Sequence, residues 1–138
     1  MSHETERAFL AMPFVPMLAV AAPGRGPLAV PVWHALDAEG RPWFVTAKDS
    51  PKARLIAAAG RCTLTAQRDR SPYAYVSVEG PARLETAAYA DILEMAIRYE
   101  GKADGTAYAE SMRAEFEAGS RWRVTLTPER WSSYGLGA

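Results

Sequence analysis

The chain has 138 residues, 49% of them hydrophobic and 23% charged, which excludes a disordered protein and fits one domain spanning residues 1–138. Its 16 basic residues are balanced by 16 acidic ones, so no surplus of positive charge is left to grip a nucleic-acid backbone. No run approaches the roughly 20 apolar residues that cross a bilayer, so neither nucleic acid nor membrane is expected as a partner.

The polar, acidic start Met1–Arg7 lacks the make-up of a signal peptide. A short helix is predicted over Glu4–Met12, with Ser2 as its cap, Phe9 and Leu10 facing inward, and Pro13 and Pro16 ending it. Met17–Ala22 reads as a strand, Pro23-Gly24-Arg25-Gly26-Pro27 as a turn, and Leu28–Leu36 as a second strand. The turn Asp37-Ala38-Glu39-Gly40 then returns the chain into a third strand, Trp43–Ala47. Strands this close in sequence pair antiparallel, because a parallel crossover needs a dozen or more residues.

Ser50-Pro51 has the form of a helix start, Ser50 as cap and Pro51 at the first helical position, with Gly60 as the stop. Strands follow at Arg61–Gln67 and Tyr73–Leu84. In the first, Cys62 falls on the apolar side with Leu64 and Ala66 and reads as a small buried hydrophobe rather than a nucleophile. As the sole cysteine it excludes an internal disulfide and suits a reducing, cytoplasmic setting. In the second strand Ala74, Val76 and Val78 share one face, and Gly80-Pro81 signals a bend or bulge.

Helices are predicted over Ala87–Tyr99 and Ala107–Ala118, with Gly101 and Gly105 as breaks; Tyr108, Met112 and Phe116 recur at four-residue spacing along the second. Trp122–Thr127 alternates as a last strand, ended by Pro128, and Trp131–Leu136 is an aromatic-rich extension. The fold class is mainly β (α+β): six antiparallel strands, a short helix after the third and two helices before the last. Six such strands in a chain this short favour closure into a barrel, which removes exposed edges.

Two histidines, His3 and His34, and one cysteine offer no metal-ligand spacing. No Gly-x-Ser-x-Gly elbow occurs, and Gly24-Arg25-Gly26 precedes a strand rather than a helix, unlike a dinucleotide phosphate loop. The basic clusters Arg68-Asp69-Arg70 and Arg121-Trp122-Arg123 read as solvated turn or edge residues. What remains is Ser50-Pro51-Lys52-Ala53-Arg54. A helix start there offers free backbone N–H groups, the positive end of a helix dipole and two full positive charges, a combination disfavoured unless an anion compensates it.

The run Gly26–Trp33, then Trp43-Phe44-Val45-Thr46, then Ser50–Arg54, then Tyr75–Ala82, followed by Arg98-Tyr99-Glu100-Gly101 and Val124–Thr127, resembles the pyridoxamine 5′-phosphate oxidase-like superfamily. It is most similar to the small actinobacterial flavin/deazaflavin oxidoreductases. The resemblance implies a split β-barrel that works as a homodimer with two cofactor sites at the subunit interface. It implies Lys52, with Arg54, Ser50 and Thr46, on the cofactor's phosphate, and Pro31, Val32 and Trp33 against its ring system. It also implies that late residues such as Trp131 or Tyr134 reach the partner's site, while Trp122 belongs to the core or the dimer interface.

The implied activity is hydride transfer from the deazaflavin coenzyme F-420, or from FMN, to a small organic substrate. The cofactor carries that chemistry, so no acid–base residue need stand out in the sequence. The family often has Asn straight after the residue corresponding to Arg54, and this chain has Leu55. The alternative is a non-catalytic protein on the same barrel that holds a tetrapyrrole, a fatty acid or another hydrophobic ligand.

Overall fold

The structure, a computed structural model, describes residues 3–137. Helix α1 (Glu4–Leu10) buries Phe9 and Leu10 as its pattern requires, while Ser2, the expected cap, lies outside the described residues. Strands β1 (Met17–Val20) and β2 (Leu28–Pro31) form an antiparallel hairpin around the Pro/Gly turn. Strands β3 (Ala35–Leu36) and β4 (Pro42–Ala47) form a second hairpin at Asp37–Gly40. Helix α2 (Pro51–Ala59) opens as expected: the Ser50 side chain accepts from the Ala53 N–H, Pro51 takes the first turn, and Gly60 closes it at φ 73°.

The remaining strands are β5 (Arg61–Arg68), β6 (Ala74–Thr86), β7 (Arg121–Leu126) and β8 (Arg130–Tyr134). Strand order is β2-β1-β5-β6-β7-β4-β3, every pairing is antiparallel, and β8 pairs with β6. The two ends of this order, β2 and β3, are joined in sequence by Val32-Trp33-His34 alone. A link of three residues reaches at most about 14 Å, so the sheet must curl until its ends nearly meet. That is a split β-barrel, and Val32–His34 is its seam.

Strand β6 is the hub of the curl. Its first part pairs with β5 and β8, and its last part, Ala82–Thr86, pairs with β7. Between Ala82↔Leu126 and Glu79↔Arg130, three steps along β6 face four along the other chain, which is a β-bulge. The bulge switches inward-facing positions from even numbers in β7 (Val124, Leu126) to odd ones in β8, and so turns Trp131 onto the core. Gly80 sits at this crossing because a Cβ there would lie 1.9 Å from the Thr127 carbonyl oxygen.

Inside the barrel Leu18, Val20, Phe44, Ile56, Leu64, Val76, Val78, Val124 and Leu126 form the main core, with Cys62 and Ala66 among them. Outside it, helices α3 (Tyr89–Glu100), α4 (Lys102–Ser111) and α5 (Arg113–Glu117) make an excursion between β6 and β7. They pack Ile92, Met95, Ala96, Ala109 and Phe116 toward Trp33, Trp43 and Val45.

Three expectations need correction. There are eight strands among the described residues, not six, because Leu28–Leu36 divides at the seam and the terminal extension pairs as β8. The second helix of the excursion starts earlier and breaks at Met112 into α4 and α5. Gly105 lies inside α4 rather than breaking it: a Cβ there would stand 2.6 Å from the carbonyl carbon and oxygen of Ala96, so its bareness lets α4 seat directly on α3.

Candidate functional site

The seam, the start of α2 and the inner side of the α3–α5 excursion enclose a groove made of two adjoining hollows of about 210 Å³ each. Val45, Lys52, Ile92 and Tyr108 line both hollows and join them. The outer hollow adds Pro31, Val32, Trp33 and Met95. The inner one adds Thr46, Ala47, Met112, Phe116 and Arg121. Either hollow alone is smaller than a usual cofactor pocket, and together they enter the range of about 300–1,000 Å³.

At the outer end Trp33 is held from behind. Its indole stacks on Tyr99 at 5.1 Å and 8°, and Tyr108 meets it edge-on at 5.7 Å. The Tyr99 hydroxyl donates to the Phe14 carbonyl at 2.7 Å and accepts from the His34 backbone N–H at 3.2 Å. Arg98 donates to the carbonyls of His34, Ala11 and Met12 at 2.7, 2.8 and 3.0 Å. The end of α3 thus ties the seam to the segment after α1.

His34 is fully buried in this cluster. Its Nε2 faces the Leu10 carbonyl at 2.5 Å and its Nδ1 lies 3.0 Å from the Tyr99 hydroxyl. Burial pushes its pKa down to about 4, with the nearby Arg98 charge adding to the effect and the Leu10 bond opposing it. It is a satisfied structural histidine. Among the described residues no group of His, Cys, Asp and Glu could hold a metal ion.

The inner end is built on the corner between β4 and α2. Ser50 Oγ donates to the Ala47 carbonyl at 2.8 Å and accepts from the Ala53 N–H at 3.2 Å. Its single proton is therefore committed, and Thr46 Oγ1, 3.0 Å away and buried, must donate to it. This chain fixes the corner and leaves Thr46 with acceptor capacity. Lys52 makes no hydrogen bond or ion pair among the described residues, although it lines both hollows.

Of the residues singled out in the sequence, the groove unites Pro31, Val32, Trp33, Thr46 and Lys52, with Ser50 bonded behind Thr46. Arg54 lines neither hollow; its guanidinium folds back and donates to the Asp49 carbonyl. Leu55 packs against the barrel core and anchors α2. Trp131 stacks on His3 at 5.3 Å beneath the Arg7 guanidinium, and Tyr134 stacks on Tyr75 on the outer sheet face. Neither lines the groove within one chain.

Sequence reasoning missed Arg121, which was read as a solvated edge residue and instead lines the inner hollow half-buried. Its neighbour Arg123 is likewise engaged, donating to Asp91 at 2.7 Å and lying 3.9 Å over Trp43. The Tyr108, Met112 and Phe116 stripe did carry a signal: all three line the inner hollow across the break between α4 and α5.

The fold is an antiparallel split barrel with a groove at its seam that carries Lys52 and Arg121 toward its inner end. The sequence pattern of the pyridoxamine 5′-phosphate oxidase family matches residues 2–134, and the chain belongs to that family. No curated protein sequence matches it.

Among solved structures, a conserved hypothetical protein of Mycobacterium tuberculosis superposes with a TM-score of 0.78 at 22% identity, covering 100% of this chain and 89% of its own. An F420 reductase gives 0.71 at 22% identity, over 91% of this chain and 94% of its own. A heme binding protein of Mycobacterium smegmatis gives 0.64 at 19% identity, over 98% of this chain and 54% of its own. At these identities the likenesses establish the fold.

Proposed function

We propose that the protein is an oxidoreductase that uses the deazaflavin coenzyme F-420, or FMN, to transfer a hydride to a small organic substrate. The observation that carries this reading is Lys52, a cation in the first turn of α2 without a partner among the described residues, set in one groove with the apolar wall of Pro31, Val32 and Trp33. Such a groove fits an elongated molecule with a flat apolar ring at one end and a phosphate at the other. The helix has no acidic residue in its first turn, so nothing on α2 itself offsets the charge. The family membership and the F420 reductase neighbour support the same assignment.

When bound, the ring supplies the hydride chemistry. This chain's part is to bind and orient. Lys52 neutralises the phosphate, Val32 and Trp33 bound the ring, and Ile92, Met112 and Phe116 keep water from the groove floor. Tyr99 and Tyr108 hold Trp33 in place, so the ring-facing wall is preorganised.

The outer face of the barrel fits a homodimer. Strand positions facing solvent are normally polar, yet here Met17, Tyr75 and Tyr134 are exposed, as is Val15 just before β1, and Val15, Met17, Ala19, Thr65 and Gln67 line a hollow of about 300 Å³. Pro31, paired with Met17, belongs to both this face and the groove, so a second copy seated here borders the site. Trp131 and Tyr134 serve the partner's site in this arrangement.

The heme binding neighbour and the apolar side chains Val45, Ile92, Met112 and Phe116 in the groove favour a second reading, a non-catalytic carrier of a tetrapyrrole or other hydrophobic ligand. No histidine or cysteine lines either hollow, so axial ligation of a haem iron there would fall to Met95, Met112 or Tyr108. The absorbance spectrum of the purified protein, followed by fluorescence titration with F-420, FMN and hemin, separates the readings. Micromolar or tighter binding of F-420 or FMN supports the first; binding of hemin alone overturns it.

A further inference from the structure

Four basic residues surround the corner from Ala47 to Arg54, and the structure gives them different tasks. Lys48 donates to Thr86 Oγ1 at 2.8 Å and lies 4.2 Å over Trp122. Arg54 is turned back onto the Asp49 carbonyl. Lys52 and Arg121 both face the inner hollow, and neither has a carboxylate partner among the described residues. Of the other arginines around the helical excursion, Arg113 pairs with Glu110 and Glu117 and Arg123 with Asp91, while Arg98 is engaged by three backbone carbonyls. Two uncompensated cations lining one half-enclosed hollow repel each other unless an anion lies between them.

Arg121 is also held in place. It stands at the first position of β7, paired with Ala47, and its carbonyl accepts from the Ala87 N–H at 2.9 Å. Its Nη1 donates to Ser120 Oγ at 2.8 Å, and Ser120 Oγ donates in turn to the Glu115 carbonyl at 2.7 Å. The guanidinium lies 5.8 Å from the Phe116 ring. One of its five N–H donors is thereby used for aiming, and the rest of the fork remains for an oxyanion. Thr46 and the start of α2 line the same inner hollow, whereas Arg54 does not.

We infer that Arg121 is the second phosphate-binding residue of the groove and closes on the ligand's phosphate from the side opposite α2, a role the linear motif assigns to Arg54. The inference rests on the proposed cofactor reading and adds a residue some 70 positions away in sequence. It makes the phosphate site a joint product of α2 and the strand that follows the helical excursion.

The test compares ligands with and without the phosphate: FMN against riboflavin, which differ only there, and F-420 against its deazaflavin chromophore, which lacks the phosphate together with the tail attached through it. Dissociation constants are measured by fluorescence for the wild type, Arg121→Ala, Arg121→Gln, Arg54→Ala and Lys48→Ala. Arg121→Ala is expected to cut the preference for the phosphorylated member about ten- to a hundredfold, with the phosphate-free member held within about threefold. Lys48→Ala controls for loss of a nearby charge. Arg121→Gln keeps the stem over Phe116 and replaces Arg121→Ala if the latter unfolds.

An unchanged preference in both Arg121 variants, or a larger loss in Arg54→Ala, overturns the inference while the cofactor reading stands. If the wild type binds neither pair, the cofactor reading fails, and Arg121 is then judged with inorganic phosphate alone. Its Nε–H resonance should shift on titration and stay still in a chloride control; no shift overturns the inference there too.

Discussion

Replacing Gly105 by Ala separates two descriptions of the helical excursion by the sign of the result. If Gly105 only weakens a helix, Ala should stabilise the protein by about 1 kcal/mol through helix propensity. The structure predicts the opposite. The added Cβ would stand 2.6 Å from the backbone of Ala96 and Ile97, where ordinary contacts begin at 3.4 Å. Backbone atoms cannot rotate aside, so α4 must lift from α3 by most of an ångström and loosen Ala109, which is fully buried at that interface.

Overpacking of this kind costs about 1–3 kcal/mol, and against backbone the upper half applies. Net of propensity, Gly105→Ala should destabilise by about 1–2 kcal/mol, lowering Tm by about 3–8 °C for a chain of this size. Urea unfolding followed by circular dichroism at fixed protein concentration measures it. Ala103→Gly, on the exposed side of α4, calibrates the propensity contribution. A Gly105→Ala protein as stable as the wild type or more so would refute the close seating of α4 on α3. Tyr108 is three residues further along α4, so the same variant should also weaken ligand binding in the groove.

Other outcomes follow from the seam and the core. The pKa of His34 is lowered to about 4 by burial, so between that value and about 6.5 the unfolded chain binds more protons than the folded one. Stability should therefore be full above pH 6.5 and fall by about 3 kcal/mol as the pH drops to 4; His34→Gln should flatten that slope in urea titrations. Arg98→Ala removes three hydrogen bonds, one to the seam carbonyl of His34 and two to Ala11 and Met12 after α1, and should cost about 2–4 kcal/mol, while Arg98→Lys, lacking the fork, should recover less than half of that in the same assay. Cys62, buried and with its thiol pushed up to about 12 by burial, should resist thiol reagents at pH 8 in the native protein and react fully in urea.

The parts of this fold legible in the sequence are those with local causes. Ser50, Pro51 and Gly60 mark α2 because capping and positive φ act within one turn. The alternation of Ala74, Val76 and Val78 declares the inward face of β6. The seam was not legible, because Pro31–His34 continues a β-rich run and breaks only where the curled sheet runs out of partners. β8 was hidden for a similar reason: Arg130–Tyr134 is mostly exposed and lacks alternation, and it becomes a strand through its pairing with a distant β6.

The site divides in the same way. Lys52 was visible through helix-start electrostatics, and Trp33 through the family resemblance. Arg121 was not, since the short basic cluster Arg121-Trp122-Arg123 looks solvated until the chain brings Ala47 alongside it. Gly105 looked like a breaker because a sequence does not show which helix will press against a bare Cα.

The seam also bears on how relatives of this protein can diverge. Elsewhere in the barrel an inserted residue shifts a ladder and turns every following side chain to the wrong face. Between Pro31 and Ala35 no ladder is at stake, since Val32–His34 is held by the Pro16 carbonyl and by Arg98 and Tyr99 rather than by a neighbouring strand. Residues gained or lost there would change the girth of the groove while leaving the strand register intact, so ligand size can drift in evolution without the barrel being rebuilt.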